Sequence, residues 1–371
     1  MKIDKSQVSG RRLMFTIAFF LQSSALLTSF IAGVTKHEAW IPIALGSALC
    51  IPLVFLYRTL MVMFPDKNLL QVLDEVYGKI AGKIIGIAYA WYFLTLTAIN
   101  LGDMGDFAKI TFMTETPHMV LTFICVLVSI WAVRHGFRVV SRYSMLFTII
   151  EFATVALSIM LLLNQMDFTN LLPVFTQPAM KYVQSTHIIA TIPFGELVIF
   201  LMVTPCVKKL TPREATKYWL VGTAMGMIIL LAVLLRDISV LGNTLHMFAL
   251  PGLVTLRLVN IGEALSRVEI IFAIALITLL FFKITVLCYV STIALAQLFQ
   301  TTQYKRLALI VGILVLVYGP TLYSSAVEHA VSARTIVPFI WTIFEIALPL
   351  TTFLIAKTRG LPKLSAAAIT E

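Results

Sequence analysis

The chain has 371 residues, of which 59% are hydrophobic and only 12% charged, and a mean hydropathy of +0.94. Soluble domains carry about 25% charged residues, so this composition excludes a soluble globular fold and implies a polytopic membrane protein. The net charge of +10 is spread between apolar segments rather than gathered in one patch, which argues against a nucleic-acid partner.

The chain begins with Lys2, Lys5, Arg11 and Arg12, followed by an apolar segment over 13–34. That segment is too long for a signal-peptide core and lacks a small-x-small cleavage pattern, so it is read as a retained span. About 20 apolar residues cross a bilayer as a helix. On that basis hydropathy predicts nine further spans, over 40–63, 82–103, 117–134, 144–164, 188–207, 216–236, 269–298, 306–327 and 335–356, with a tail over 357–371. The expected fold is a single all-α transmembrane domain, 1–371, of ten helices.

The loops alternate in charge. Arg58, Lys67, Lys79 and Lys83 follow span 2, and Arg134, Arg138 and Arg142 follow span 4. Lys208, Lys209, Arg213 and Lys217 follow span 6, Lys305 and Arg306 follow span 8, and Lys357, Arg359 and Lys363 lie in the tail. The opposite loops are poorer in Lys and Arg. By the positive-inside rule both termini are cytoplasmic. The two long loops, Gln165–His187 and Asp237–Val268, are then external, and the second carries a helical pattern from Pro251 to Asn260.

Ten spans divide into five-helix halves, 13–164 and 188–356. An odd number per half sends the halves through the membrane in opposite senses, as in inverted-repeat transporters. In such folds, interruptions in the first helix of each half free backbone N–H and C=O groups for a ligand. Span 6 contains Ile192-Pro193-Phe194-Gly195-Glu196, where proline removes a helix hydrogen bond and glycine permits an open backbone. Span 1 has the weaker signal Gln22-Ser23-Ser24, then Thr28-Ser29 and Gly33. Its small hydroxyl residues would serve equally to cap freed groups or to pack an intact helix. A proline kink without a ligand is the plainer alternative at span 6.

Four ionisable residues fall inside spans: Glu151, Glu196, Lys283 and Glu345. Lys283 is the only formal charge between Glu269 and Lys305. An ammonium near the midplane costs about 2.5–3.5 kcal/mol on insertion scales. None of the four has an opposite charge three or four positions away on its own helix, so any partner must come from another helix. A structural ion pair of Lys283 with Glu196 or Glu345 is one expectation. Glu345 lies four residues before Pro349, which leaves its carbonyl without the usual helix partner. Phe194, Tyr92 and Tyr289 are possible pocket walls, although aromatics in spans more often pack. Arg257, Glu263, Arg267 and Glu269 form a charged cluster around the outer loop, read either as a solvated face or as a partner contact. The four cysteines form no C-x-x-C pair, the six histidines do not cluster, and no nucleotide-binding glycine loop occurs. No enzyme activity, cofactor or metal is therefore expected.

The run Phe64-Pro65-Asp66-Lys67-Asn68-Leu69-Leu70, then Val76 to Gly86, resembles the segment after span 2 in spore germination permeases, the B subunits of GerA-type germinant receptors. Pro193-Phe194-Gly195-Glu196, Leu241-Gly242, the stretch Arg257–Glu263 leading to Ser266–Glu269, and Phe281-Phe282-Lys283-Ile284 extend the resemblance from about residue 10 to 360. It implies the amino-acid/polyamine/organocation superfamily and a leucine-transporter type of 5+5 inverted repeat with spans 1 and 6 discontinuous. It further implies an amino acid or similar nutrient as ligand, A and C subunits as partners, and the spore inner membrane as location. The ligand-binding residues would be Gln22, Ser23, Ser24, Pro193, Phe194, Gly195 and Glu196. Lys283 would supply a fixed positive charge, or a gate, where sodium-coupled relatives bind an ion. Ser23 and Ser24 stand where such permeases tend to carry a glycine. An amino-acid transporter and a non-binding scaffold or ion conduit are the alternative functions.

Overall fold

The computed structural model describes residues 4, 7–24, 28–111, 113–259 and 269–362. Glu263 and Arg267 of the outer-loop cluster, and the tail beyond residue 362, lie outside the described residues. The chain is almost entirely helical. In order the helices are α1 (Gly10–Gln22), α2 (Thr28–Thr35), α3 (Trp40–Met63), α4 (Leu69–Tyr77), α5 (Lys79–Thr111), α6 (His118–Arg134), α7 (Phe137–Val140) and α8 (Ser144–Leu162). The second part contains α9 (Ala179–Thr191), α10 (Pro212–Leu241), α11 (Pro251–Arg257), α12 (Glu269–Leu298), α13 (Tyr304–Leu322), α14 (Ala326–Thr335), α15 (Val337–Thr342) and α16 (Leu348–Thr358).

Among the described residues, eight helical runs are long and apolar enough to cross a membrane, and His118–Arg134 is a shorter apolar helix. The remaining expected span is divided between α1 and α2. The ten-span reading fits this arrangement. Charged and polar residues mark the helix starts: Asn68 with Gln71, and Thr211 with Glu214, each form a reciprocal capping box. The outer-loop helix expected from Pro251 is α11, which ends at Arg257.

Among the described residues, the regular α-helix gives way to other geometry at three places inside spans. α1 ends at Gln22, Ser23 and Ser24 continue in a tighter 3-10 turn, and α2 begins at Thr28. α9 ends at Thr191, and after Ile192-Pro193 the chain continues as a tighter 3-10 helix, Gly195–Cys206. A single wider π turn, Ile343–Ala347, joins α15 to α16. Such irregular turns inside helices commonly mark functional sites. They are tolerated at membrane depth only where the freed backbone is buried in protein or faces a cavity.

α1 is held closely against α10. A β-carbon on Gly222 would lie 2.5 Å from Met14 O, and one on Gly226 would lie 2.5 Å from Leu21 Cβ. Two glycines four residues apart thus let the helices approach to backbone contact. Glu38, fully buried after α2, accepts hydrogen bonds from the backbone N–H of Phe175 and Thr176 and from the Tyr182 hydroxyl. It ties the long loop before α9 to the end of the first span.

A buried ion pair where two interrupted helices meet

Lys283, in the middle of α12, points its ammonium at both interruptions. Its Nζ lies 2.7 Å from Glu196 Oε2, on the 3-10 segment, and donates to Ser24 Oγ at 2.9 Å, just past the end of α1. The ammonium also sits 5.0 Å from the centre of the Phe20 ring, within cation–π range. Lys283 and Glu196 side chains are each 2% exposed. Glu196 Oε2 takes no well-aligned hydrogen bond despite its closeness to the ammonium, so the pair is held mainly by Coulomb attraction. Of the two expected partners for Lys283, the ion pair is with Glu196.

Glu345 is instead embedded in hydroxyl groups. The π turn and Pro349 free carbonyls of α15 and α16, and tyrosines from neighbouring helices satisfy them. Tyr57 of α3 donates to Glu345 O at 2.5 Å and to Gly195 O at 3.0 Å. Tyr89 of α5 donates to Phe344 O at 2.7 Å, and Tyr92 donates to Glu345 Oε1 at 2.7 Å. The carbonyl left free by Pro349 therefore has its partner in Tyr57. The other carboxyl oxygen, Oε2, is buried without a hydrogen bond.

A cavity of about 50 Å³ borders the ion pair. Ser23, Ser24, Asn100, Asp103, Glu196 and Lys283 give it a polar wall, with Phe30, His329 and Trp341 beside them. A larger cavity of about 300 Å³ lies among the later part of α5, the start of α6, the end of α13 and the start of α14. Asp103 and His329 line both cavities, and His329 Nδ1 lies 3.3 Å from Asp103 Oδ1. The imidazole is stacked on Tyr323 at 4.7 Å and meets the edge of Phe30 at 5.7 Å. This pair, with Ile99, borders both spaces.

The opposite end is closed by the N-terminal arm. Asp4 accepts from Phe137 N at 3.0 Å and from the Tyr289 hydroxyl at 2.8 Å, and Val8 exchanges backbone hydrogen bonds with Cys206 and Lys208. Tyr289 is thus part of this closure and does not line the cavity at Lys283.

The residues singled out from sequence divide accordingly. Ser23, Ser24, Glu196 and Lys283 meet at the cavity. Gln22 is buried, with both ends of its amide unpartnered, but is outside the lining. Pro193, Phe194 and Gly195 shape the turn without reaching it, and Phe194 is wholly in the core. Asn100, Asp103, His329 and Trp341 escaped sequence reasoning. Asp103 alone carried a signal, an acid near the end of an apolar helix, but nothing local shows that His329, more than two hundred residues away, faces it.

The family model described as "Spore germination protein" matches residues 7–323. The chain belongs to the spore germination permease family. It is similar to spore germination protein KB of Bacillus subtilis (strain 168), with 28% identity over 360 residues covering 95% of each chain. It is also similar to the putative spore germination protein YfkT of the same organism, with 27% identity over 350 residues covering 94% of each. Among solved structures it is similar to Mhp1, a nucleobase-cation-symport-1 family transporter in a closed conformation with bromovinylhydantoin bound. The TM-score is 0.66 at 12% identity, covering 91% of this chain and 78% of that one. It is likewise similar to MhsT in complex with L-phenylalanine, with a TM-score of 0.61 at 14% identity, covering 97% and 91%. The fold is therefore that of leucine-transporter-type carriers. The family is one of spore germination proteins and the fold is shared with membrane transporters, not with enzymes, and the chain is a multi-pass membrane protein.

Proposed function

We propose that this chain is the germinant-sensing membrane subunit of a spore nutrient receptor, and that it recognises an amino acid or similar small nutrient where spans 1 and 6 are interrupted. The observation that carries this reading is the Lys283 ammonium held between Ser24 and Glu196, one contact on each interrupted helix. A fixed cation at that point does without an exchangeable one. It also lets a ligand compete for the same groups: a carboxylate or hydroxyl for Lys283 and Ser24, an ammonium for Glu196. The two five-helix halves, 13–164 and 188–356, supply one broken helix each.

A space of about 50 Å³ holds one or two waters, since a water's share of liquid is about 30 Å³, and not a nutrient molecule. Binding therefore requires an opened state. Opening the Asp103–His329 contact would merge the small cavity with the 300 Å³ one. With both termini cytoplasmic, as the basic loops suggest, the larger cavity faces outward. A ligand that binds the opened state better shifts the equilibrium toward it. The partners that would receive this shift are the receptor's A and C subunits, in the spore inner membrane.

Transport of the nutrient is the second reading, favoured by the likeness to transporter folds. A scaffold or conduit subunit is a third. Equilibrium binding and uptake in proteoliposomes separate them. Saturable binding of a germinant without accumulation is the expected result. Accumulation driven by a proton gradient would replace the receptor reading with the transporter one, and absence of both leaves the scaffold.

A further inference from the structure

A second polar cluster lies away from the broken helices, where α8, α10, α11 and α12 meet. Arg236, near the end of α10, is 3% exposed, and its neighbour Asp237 is fully buried. Three of the guanidinium's five N–H donors have partners: Nε and one terminal nitrogen donate to Asp237 Oδ1 at 2.9 and 2.7 Å, and the other terminal nitrogen donates to Ser158 Oγ at 2.7 Å. Asp237 Oδ2 has no hydrogen bond. The Thr255 hydroxyl of α11 comes near the Asp237 carboxyl but aligns with no acceptor.

These groups border a cavity of about 80 Å³, whose wall also holds the buried carboxyl of Glu151. The rest of the wall is mostly apolar, including Phe107, Val155, Leu256 and Phe272. One arginine thus shares the cavity wall with two carboxyl groups, and its hydrogen bonds to them go to a single oxygen of Asp237. A buried acceptor without a donor is costly, and a buried charge requires a partner. The wall combines carboxyl acceptors with hydrocarbon. A bare divalent cation would need six or more oxygen ligands, which this wall lacks. An ammonium brings up to three N–H donors, and an attached alkyl chain suits the apolar wall.

We infer that this cavity is a second ligand site, distinct from the one at Lys283, and that it takes a small primary alkylammonium. Its head would lie against Asp237 Oδ2 and Glu151, and its chain against Val155, Leu256 and Phe272. Six-carbon benzene occupies an engineered cavity of about 150 Å³, so 80 Å³ suits three or four heavy atoms, the size of ethylammonium or propylammonium. α12 connects the two places: Phe272 and Ala273 line this cavity and Lys283 lies on the same helix.

The test is thermal unfolding of the purified full-length protein titrated with propylammonium, with propanol as the uncharged analogue and ammonium as the head without its chain. A ligand that binds only the folded state raises the midpoint with concentration. Propylammonium is expected to give a saturable rise of about 2 °C or more, with propanol and ammonium giving clearly less. Glu151→Gln, which keeps the shape, and Ala273→Leu, which fills the cavity, should each abolish the rise. Should one of them fail to fold, the other decides. The inference is overturned if propylammonium gives no saturable rise, if propanol matches it, or if the rise persists in a folded variant.

Discussion

The carboxyl of Glu345 occupies the space where a side chain on Gly195 would begin. A β-carbon there would lie 2.1 Å from Glu345 Oε2 and 2.7 Å from its carboxyl carbon. The π turn of the last span and the first residue of the 3-10 segment are thereby locked together, with the Tyr57 hydroxyl donating to the carbonyls of both residues. The glycine of the broken helix is needed for close approach, and Glu196 one residue later is thereby aimed at Lys283.

Gly195→Ala should therefore be destabilising, by about 1–3 kcal/mol as for other overpacked cores. Shortening the opposing side chain with Glu345→Ala in the same molecule should recover part of the loss. Unfolding of the purified single and double variants measures this. Equal loss in the single variant and the pair would show that the two residues are not in steric register.

Tyr57→Phe removes one hydroxyl and leaves two buried carbonyls without it. A cost of about 1–3 kcal/mol follows from stranding buried acceptors. Tyr92→Phe removes the hydrogen bond to Glu345 Oε1 while Oε2 already has none, and should cost at least as much. A Tyr57→Phe protein as stable as the parent would remove the hydroxyl from the set of groups holding the break.

For the buried ion pair, removing one partner strands the other. Lys283→Met alone, or Glu196→Gln alone, should each lower stability by about 3–5 kcal/mol. The double variant should be closer to the parent than the sum of the two. Germinant response adds the functional readout. Restored stability with lost response assigns the pair to recognition, and restoration of both makes it only a structural contact.

The Asp103–His329 contact can be probed chemically. The four native cysteines are all buried, so a Ser24→Cys variant provides one reporter at the small cavity. Its reaction with a membrane-impermeant thiol reagent added outside should be slow, and should quicken about tenfold or more with His329→Ala, because the loss of a contact worth about 1.4 kcal/mol is tenfold in the open population. An unchanged rate would mean that the Asp103–His329 contact does not govern access.

Much of this protein is written in its sequence, for a clear reason. In a bilayer every backbone polar group must be bonded within the chain, so a long apolar run becomes a helix and the runs can be counted. The change of geometry after Ile192-Pro193 was legible because proline and glycine act locally on the backbone, whereas the hydroxyls of Ser23 and Ser24 suited a cap or an intact packed helix equally. Lys283 was legible as an expensive charge because cost depends on its own surroundings in the span. The sequence could not choose Glu196 over Glu345 as its partner, since both are single acids in apolar helices. Tertiary structure made that choice: the π turn and Pro349 give Glu345 to the tyrosines, while the turn at Gly195 gives Glu196 to Lys283. Nor could it pair Asp103 with His329 or place Glu151 and Asp237 around one cavity, because such placements follow from helix packing and not from spacing along the chain.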